Sequence, residues 1–265
     1  PIATKDLSHG QYEIVYTATD STNESVDKVQ VITIVDDVAP EIVCLADYNV
    51  YVQPDNGCKA TEIAAIDSIY ERYVVKNNIA TKNSDGTFTI VDSDRITLSA
   101  DGKTIESIKD ECGVSLKVKS SLNNTSFDDS GKSFTLGVDE TQTIYWTMSD
   151  GYNKSSCSTI ISAADTMKPV VSALDAITIH TSGSADKCAG DTTIANDAIK
   201  ALLDIKECSD YTITYAVDGG TDITLSSGDV VISDLTSGEH EIKYTVTDET
   251  GKTTTVTQKV NVVDN

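Results

Sequence analysis

Aspartates at turns and junctions are the side chains in this sequence with the clearest potential for chemistry. The 265-residue chain carries 42 Asp and Glu against 20 Lys and Arg, a formal net charge of −22. Calcium needs several converging carboxylate and carbonyl oxygens, and extracellular modules bind it with dissociation constants of roughly 0.1–1 mM. Because no Asp-x-Asp-x-Asp-Gly loop is present, the competing interpretation is that these carboxylates are solvated turn residues. The candidate calcium ligands are Asp20, Asp36, Asp37, Asp150, Asn153 and Asp165, with Asp92 and Asp94 as a second set.

Six cysteines are the second group of reactive side chains. Their even number, without Cys-x-x-Cys or His-rich spacing, favours disulfides over a metal site. Disulfides form and persist in oxidising compartments. The cysteines therefore predict an extracellular protein, and the competing interpretation is six buried free thiols.

The three histidines, His9, His180 and His240, lie beside a turn glycine or in predicted strands. None stands in a metal motif or a nucleophile motif. Paired carboxylates arise everywhere by chance in so acidic a chain, so a glycosidase pair is not predicted. We expect a protein that is not an enzyme.

The negative charge excludes two classes of partner. Nucleic acid and anionic membranes would both repel the chain. Apolar runs are only a few residues long, so no segment is expected to insert into a bilayer. Hydrophobic residues make up 39% of the chain, which is enough for folded cores.

Three segments share one pattern and supply the strands that would position these residues. In each, an aromatic residue precedes a closing aspartate by four positions. In the third copy Ile242, Tyr244 and Val246 alternate with polar residues, a period of two that is typical of a half-buried strand. The copies span 10–20, 142–150 and 238–248, and each is followed by a turn and a second strand that ends at Asp36, Asp165 and Asp264 respectively.

Prolines mark the junctions between repeats. Pro40 and Pro169 each follow a terminal aspartate by four residues, and new strands are predicted at 41–44 and 170–173. The repeat register predicts one module at 37–165, another at 166–265, and the last two strands of a preceding, incomplete module at 1–36. An isolated hairpin is marginally stable in water, so a longer chain or a neighbouring chain is expected to complete the first piece.

Short strands at regular spacing in modules of this size predict an all-β chain of tandem immunoglobulin-like antiparallel β-sandwiches. Helical spacing of apolar residues predicts short helical decorations at 196–208 and, more weakly, at 64–75. The first module contains an insertion near 71–103, which is predicted to add a hairpin formed by 87–91 and 95–99. Such an insertion is either a site of specific contacts or a plain decorated loop.

Aligning the two modules predicts the disulfide pairing. Cys58 aligns with Cys188 and Cys112 with Cys208, while Cys44 and Cys157 have no counterpart in the second module. The predicted pairs are therefore Cys58–Cys112, Cys188–Cys208 and Cys44–Cys157.

Polar turns also contain sequons for N-glycosylation, at Asn23, Asn123, Asn124 and Asn153. In a Ser/Thr-rich chain several sequons arise by chance. Tyr48, Tyr51 and Tyr70 are able to stack on sugars, although packing in the core or at its rim is the competing interpretation.

The chain resembles hyalin-repeat and related bacterial immunoglobulin-like repeat modules of secreted surface proteins. The resemblance is closest in 37–165, and 166–265 matches without the outer cysteine pair. The motif residues are Asp36 and Pro40, Cys44, Gly57-Cys58, Glu111-Cys112, Trp146 with Asp150, and Cys157. The resemblance implies extracellular or cell-surface spacers, stalks and surface-array modules.

The expected function is accordingly that of a non-catalytic structural segment: a stalk, surface-layer or filament subunit. Its partners would be neighbouring modules or identical subunits in a surface assembly. The alternative is an adhesin or carbohydrate-binding recognition module that contacts a host or glycan ligand through residues 71–103.

Overall fold

A computed structural model describes residues 7, 9–122, 133–184, 187–226 and 228–264, apart from the side chains of 182–188. The helices are α1 (Ile66–Lys76) and α2 (Asn196–Leu203), and a 3-10 turn spans Pro54–Asn56. The strands are β1 (Gly10–Thr19), β2 (Ser25–Ile34), β3 (Tyr48–Val52), β4 (Lys59–Ile63), β5 (Ala80–Lys82), β6 (Phe88–Ile90), β7 (Ile96–Leu98), β8 (Ile105–Ile108), β9 (Lys117–Leu122), β10 (Ser133–Gly137), β11 (Thr141–Ser149), β12 (Lys154–Asp165), β13 (Ile177–His180), β14 (Ser182–Ser184), β15 (Lys187–Ile194), β16 (Tyr211–Val217), β17 (Ile223–Thr224), β18 (Val230–Leu235), β19 (Gly238–Asp248) and β20 (Thr253–Val263).

The strands form an all-β architecture of mostly antiparallel sheets packed as β-sandwiches, with short helical decorations, as the sequence predicts. One sheet has the order β3-β12-β11-β9, and another has the order β13-β20-β19-β16-β17. Two further sheets are the three-stranded β14-β15-β18 and the two-stranded β10-β4. Three separate strand pairs are β1-β2, β5-β6 and β7-β8. The β13–β20 pair is parallel, whereas the pairs that flank β19 are antiparallel.

The chain divides into two compact units that do not follow the repeat boundaries. The first unit comprises Pro1–Tyr48, Glu62–Phe134 and Gln142–Ile161, and the second comprises Asn49–Thr61, Thr135–Thr141 and Ser162–Asn265. The repeat modules 1–36, 37–165 and 166–265 therefore stay predictions about the sequence.

The second unit has a core between two sheets. Residues of β16, β19 and β20 pack with Ile232 of β18 and with Ile199 and Leu203 of α2 in one cluster. Because side chains alternate along a strand, the apolar face of β19 is buried and its opposite face, with Glu241 and Lys243, is polar. Burial of the apolar face is what holds the two sheets together.

The aromatic residue of the repeat donates a cross-strand hydrogen bond in all three copies, to Gln in two of them and to Thr in the third. Tyr244 donates its hydroxyl to Gln258 Oε1 at 3.3 Å, and Tyr16 donates to Gln30 Oε1 at 2.8 Å. In the middle copy Trp146 donates its indole N–H to the Thr159 hydroxyl at 3.2 Å. Each bond joins the two strands of one hairpin. The three copies therefore share a cross-strand side-chain contact as well as the sequence pattern of the repeat.

The hairpin of β1 and β2 differs from its counterparts in being uncovered. It is antiparallel and in register from Gly10 opposite Ile34 to Thr19 opposite Ser25. None of its side chains is buried, and Tyr16 is 49% exposed, whereas Tyr244 is 0% exposed. The hairpin thus forms with the predicted geometry but without a covering layer among the described residues.

Both predicted helices are present, with one boundary corrected. The helix predicted over 196–208 ends at Leu203, because Asp204 adopts a left-handed conformation with φ 41° that stops it. The helix predicted over 64–75 forms as α1 and packs on β5, β8 and β9.

The insertion forms two hairpins, so the single predicted pairing of 87–91 with 95–99 is wrong. Strand β6 pairs with β5, and β7 pairs with β8. Gly86 and Gly102 sit at φ 85° and 70° in the turns that close these pairs. The Asp92-Ser-Asp94 segment contains no glycine for such a turn, which is why it joins the hairpins instead of closing one.

The strands predicted at 41–44 and 170–173 are also wrong. The backbone of 40–47 is hydrogen-bonded by side chains of β12 and not by the backbone of a neighbouring strand. Ser155 Oγ accepts from Ile42 N at 3.3 Å, and Thr159 Oγ1 donates to the Leu45 carbonyl at 3.0 Å. In the second unit Val170 makes an isolated bridge with Lys206. Backbone groups that side chains satisfy do not need a strand partner.

Candidate functional site: paired carboxylates and disulfides

One predicted disulfide is present. Cys44 and Cys157, both in the first unit, are bonded with a Cα–Cα distance of 6.1 Å across a sequence separation of 113 residues. Cys44 lies in the segment that β12 holds by side-chain hydrogen bonds, and Cys157 lies in β12 itself. The bridge therefore fixes a loop to a strand that already contacts it.

The predicted pairs Cys58–Cys112 and Cys188–Cys208 are wrong, because Cys58 is bonded to Cys208. Both cysteines belong to the second unit, their Cα atoms are 5.2 Å apart, within the range that a disulfide spans, and their separation in sequence is 150 residues. Module alignment assumed that each module pairs its own cysteines. Cys58 instead follows Gly57, whose left-handed φ of 64° ends the 3-10 turn, and belongs to the same compact unit as Cys208.

Cys112 is a free, exposed thiol. Desolvation, together with the negative charges of Asp36 and Asp110, raises the pKa of this thiol. A thiol that stays protonated is a poor nucleophile and a poor metal ligand. The side chain of Cys188 lies outside the described part of the chain.

The first carboxylate pair consists of Asp36 and Asp110 in the first unit. Oxygens of both and the Cys112 sulfur all lie within 4.8 Å of one another, beside a cavity of about 230 Å³. Asp110 is 7% exposed, and burial raises the pKa of its carboxyl, with the charge of Asp36 acting in the same direction. Asp36 Oδ1 accepts from Val38 N at 3.1 Å, while its Oδ2 is buried without a hydrogen-bond partner among the described residues.

The second carboxylate pair consists of Asp165 and Glu207 in the second unit. The two carboxyl groups are at hydrogen-bonding distance, and burial followed by the contact with Asp165 raises the pKa of Glu207. Asp165 Oδ1 accepts from Met167 N at 2.9 Å, and Glu207 Oε1 accepts from Cys208 N and Ser209 N. Asp165 Oδ2 and Glu207 Oε2 are both buried with no partner in the described chain.

Sequence reasoning missed Asp110 and Glu207. A signal existed, because an acidic residue precedes the cysteine by two residues at Cys112 and by one at Cys208. Both acids precede the strand that pairs with the aromatic strand of the repeat, β9 beside β11 and β16 beside β19, and each faces a terminal aspartate of the repeat, Asp36 or Asp165.

The predicted calcium residues are only partly brought together. Asn153 donates its side-chain N–H to the Asp36 carbonyl at 2.9 Å, and Asp150 Oδ1 accepts from Asn153 N at 2.6 Å. Asp20 caps its own turn, where hydrogen bonds from the Thr22 side chain and backbone lower the pKa of its carboxyl. Asp37 is exposed.

The second predicted calcium set closes a local turn. Asp92 Oδ1 accepts from Asp94 N at 3.2 Å, and Asp94 is exposed. The carboxylate of Asp92 is thus used by its own backbone, as is common for aspartates in turns.

The sequons differ in their surroundings. Asn23 is exposed in the β1–β2 turn, whereas Asn153 is half-buried and its amide nitrogen, the atom that a glycan modifies, already donates to Asp36. Asn123 and Asn124 lie outside the described residues. Glycosylation at Asn23 stays a prediction.

The tyrosines considered for sugar stacking lie in three settings. Tyr51 is 59% exposed, and Tyr48 donates to Glu62 Oε2 at 3.4 Å. Tyr70 is half-buried, and its hydroxyl accepts from Val118 N at 2.9 Å. The three rings therefore do not share a common hydrogen-bonding role.

Two of the histidines have identifiable structural contacts. His240 Nδ1 lies 2.6 Å from Asp218 Oδ2 and its Nε2 lies 2.7 Å from the Thr236 carbonyl, so both nitrogens face acceptors. The hydrogen bond to Asp218 raises the pKa of His240, and an imidazole that donates at both nitrogens has no lone pair to act as a general base. His9 packs on Tyr152, with ring centroids 4.2 Å apart, and His180 lies in β13.

Two disulfides are typical of proteins that fold in an oxidising, extracellular environment. Among the described residues, the helices are too short and too polar to cross a bilayer.

No family model matches the chain, and no curated protein matches it. Among solved structures, it is similar to the extracellular cadherin domains 1–5 of protocadherin gamma B2, at 14% identity and a TM-score of 0.31, covering 96% of this chain and 46% of that one. It is similar to the titin domains z1z2 in complex with telethonin, at 8% identity and a TM-score of 0.36, covering 87% and 100%. It is also similar to an endo-fucoidan hydrolase of glycoside hydrolase family 107, at 14% identity and a TM-score of 0.25, covering 98% of this chain and 34% of the hydrolase.

Proposed function

We propose that the chain is a non-catalytic structural segment of a secreted, multi-module cell-surface protein, acting as part of a stalk, surface layer or filament. The observation that carries this proposal is the overlap of the two disulfide loops. Cys44–Cys157 closes 113 residues and Cys58–Cys208 closes 150, so the two disulfide loops overlap over residues 58–157.

Overlapping loops give the segment a covalent route for tension. A pull on the two ends passes from Cys44 along residues 44–58 and then through the Cys58–Cys208 bond. The 150 residues between Cys58 and Cys208 are bypassed and are not stretched while that bond is intact. Such shielding suits a protein that must keep its length under load outside the cell.

The β1–β2 hairpin supports a multi-module arrangement. Its face with Ile14 and Tyr16 corresponds to the face of β19 with Ile242 and Tyr244, which is fully buried in the second unit. In this proposal residues 1–36 are the last strands of a hyalin-type module, and strands of a neighbouring module or an identical subunit cover that face.

The recognition alternative, an adhesin or carbohydrate-binding module that uses residues 71–103, has less support. Tyr73 and Phe88 are the aromatic residues of this segment, and both are buried. A sugar-binding surface usually relies on an exposed ring for stacking.

Electron microscopy of the source cells tests the structural function. Gold-labelled antibodies against the 265-residue chain are expected to mark intact cells, on a regular layer, fibre or stalk. Label that appears only after permeabilisation would contradict the proposal. A glycan-array signal from the purified chain, lost when 71–103 is deleted, would favour the recognition alternative instead.

A further inference from the structure

We propose that a calcium ion binds at each of the two carboxylate pairs, Asp165 with Glu207 in the second unit and Asp36 with Asp110 in the first, each of which has one buried member. These sites do not depend on the structural function argued above.

The second pair, Asp165 with Glu207, has buried carboxylate oxygens that lack a hydrogen-bond donor among the described residues. Asp165 is 9% exposed, and its Oδ2 has no hydrogen-bond partner among the described residues. Glu207 faces it at hydrogen-bonding distance and has a buried, partnerless Oε2 of its own. A buried carboxylate oxygen without a partner is costly, and two in mutual contact are more so, because their charges repel.

The same arrangement recurs in the first unit. Asp36 and Asp165 each use Oδ1 to accept from the backbone N–H two residues later and leave Oδ2 buried without a described partner. Asp110, which is 7% exposed, faces Asp36 as Glu207 faces Asp165. Asp36 and Asp165 occupy equivalent positions of the repeat, and their acidic partners lie within two residues of the aligned Cys112 and Cys208, so the arrangement recurs in both units.

No described Lys or Arg forms a salt bridge with either carboxylate pair. Lys206 pairs with Asp55, Lys252 with Asp248 and Lys76 with Glu41. The Arg95 guanidinium beside Tyr73 donates from Nε to the Lys109 carbonyl at 3.2 Å, and its Nη2 is buried without a hydrogen-bond partner among the described residues. A bound cation would supply neutralising charge to each pair.

The donor atoms favour calcium. The second pair offers carboxylate oxygens alone, and in the first the two carboxylates lie beside a single exposed sulfur, that of Cys112. Ca²⁺ takes six to eight oxygen ligands and accepts water for those that the protein does not supply. The cavity of about 230 Å³ beside Asp36 and Asp110 has room for several waters.

Calcium titration of the whole chain tests the proposal. After treatment with EDTA and dialysis, calorimetry with CaCl₂ in 0.15 M NaCl is expected to show two ions bound, with dissociation constants of roughly 0.1–1 mM. Thermal unfolding is expected to shift upward by roughly 3–7 °C at 10 mM CaCl₂, compared with NaCl of matched ionic strength. MgCl₂ is expected to give a smaller shift, because Mg²⁺ sheds its waters reluctantly.

Two double variants of equal charge separate these sites from general neutralisation of an acidic chain. Asp110→Asn with Glu207→Gln is expected to lose both bound ions and the calcium-dependent shift. The control, Glu111→Gln with Asp210→Asn, changes exposed neighbours and is expected to keep them. If the first variant fails to fold, the calcium titration of the wild type still tests the proposal. No binding by the wild type, an equal response to magnesium, or an unchanged response in the first variant would overturn the proposal.

Discussion

Replacing Tyr244 by alanine lowers the free energy of unfolding of the second unit by about 3–5 kcal/mol, the usual cost of truncating a buried aromatic residue. Tyr244 is 0% exposed, and its ring lies 6.5 Å from that of Tyr215 in the core between the sheets. The substitution removes this packing and leaves Gln258 Oε1 without the hydroxyl that donates to it.

The matched control is Tyr16→Ala, which changes the equivalent residue of the first copy. Tyr16 has the same strand position and the same cross-strand partner type, Gln30, but its side chain is 49% exposed. We expect a change within about 0.5 kcal/mol for the isolated chain. Urea unfolding of both variants measures the difference, and equal losses would contradict the assignment of one face as covered and the other as uncovered.

Removing the Cys44–Cys157 bridge has the second large effect. The double variant Cys44→Ser with Cys157→Ser is expected to lose about 2–5 kcal/mol of stability, because the reduced chain gains the entropy of a loop of 113 residues on unfolding. Cys112→Ser is the control: its thiol is free and exposed, so the substitution is expected to leave the unfolding transition unchanged.

Peptide mapping without reduction checks the same assignment. Digestion is expected to release one peptide pair that contains Cys44 with Cys157 and another that contains Cys58 with Cys208. Recovery of a Cys58–Cys112 pair, or a loss of stability in Cys112→Ser, would show the second bridge to be assigned wrongly.

The strands of the repeat could be predicted because their information is local. Alternation around Tyr244 and Trp146, closing aspartates and polar turns together specify a hairpin, and β1, β11 and β19 begin and end within about a residue of the predicted segments. The helices were predictable for the same reason, although only the left-handed backbone of Asp204 sets where α2 ends.

The disulfide pairing and the carboxylate pairs depend on contacts between distant parts of the chain. Cys58 and Cys208 are 150 residues apart, and module alignment carries no information on which loops meet. Asp36 was a candidate metal ligand in the sequence because of its place at a junction, but its partner Asp110 precedes β9 and meets it only after folding. The strands expected at 41–44 failed similarly, since hydroxyls of Ser155 and Thr159 hold that segment.

Single-molecule stretching of the chain from its two ends tests most directly whether the overlapping disulfide loops shield residues 58–208 from tension. With both bridges intact, residues 58–208 are expected not to extend. Addition of a reductant is expected to lengthen the fully extended chain by roughly 50 nm, the span of the released loop of 150 residues. The same extended length with and without reductant would contradict the account.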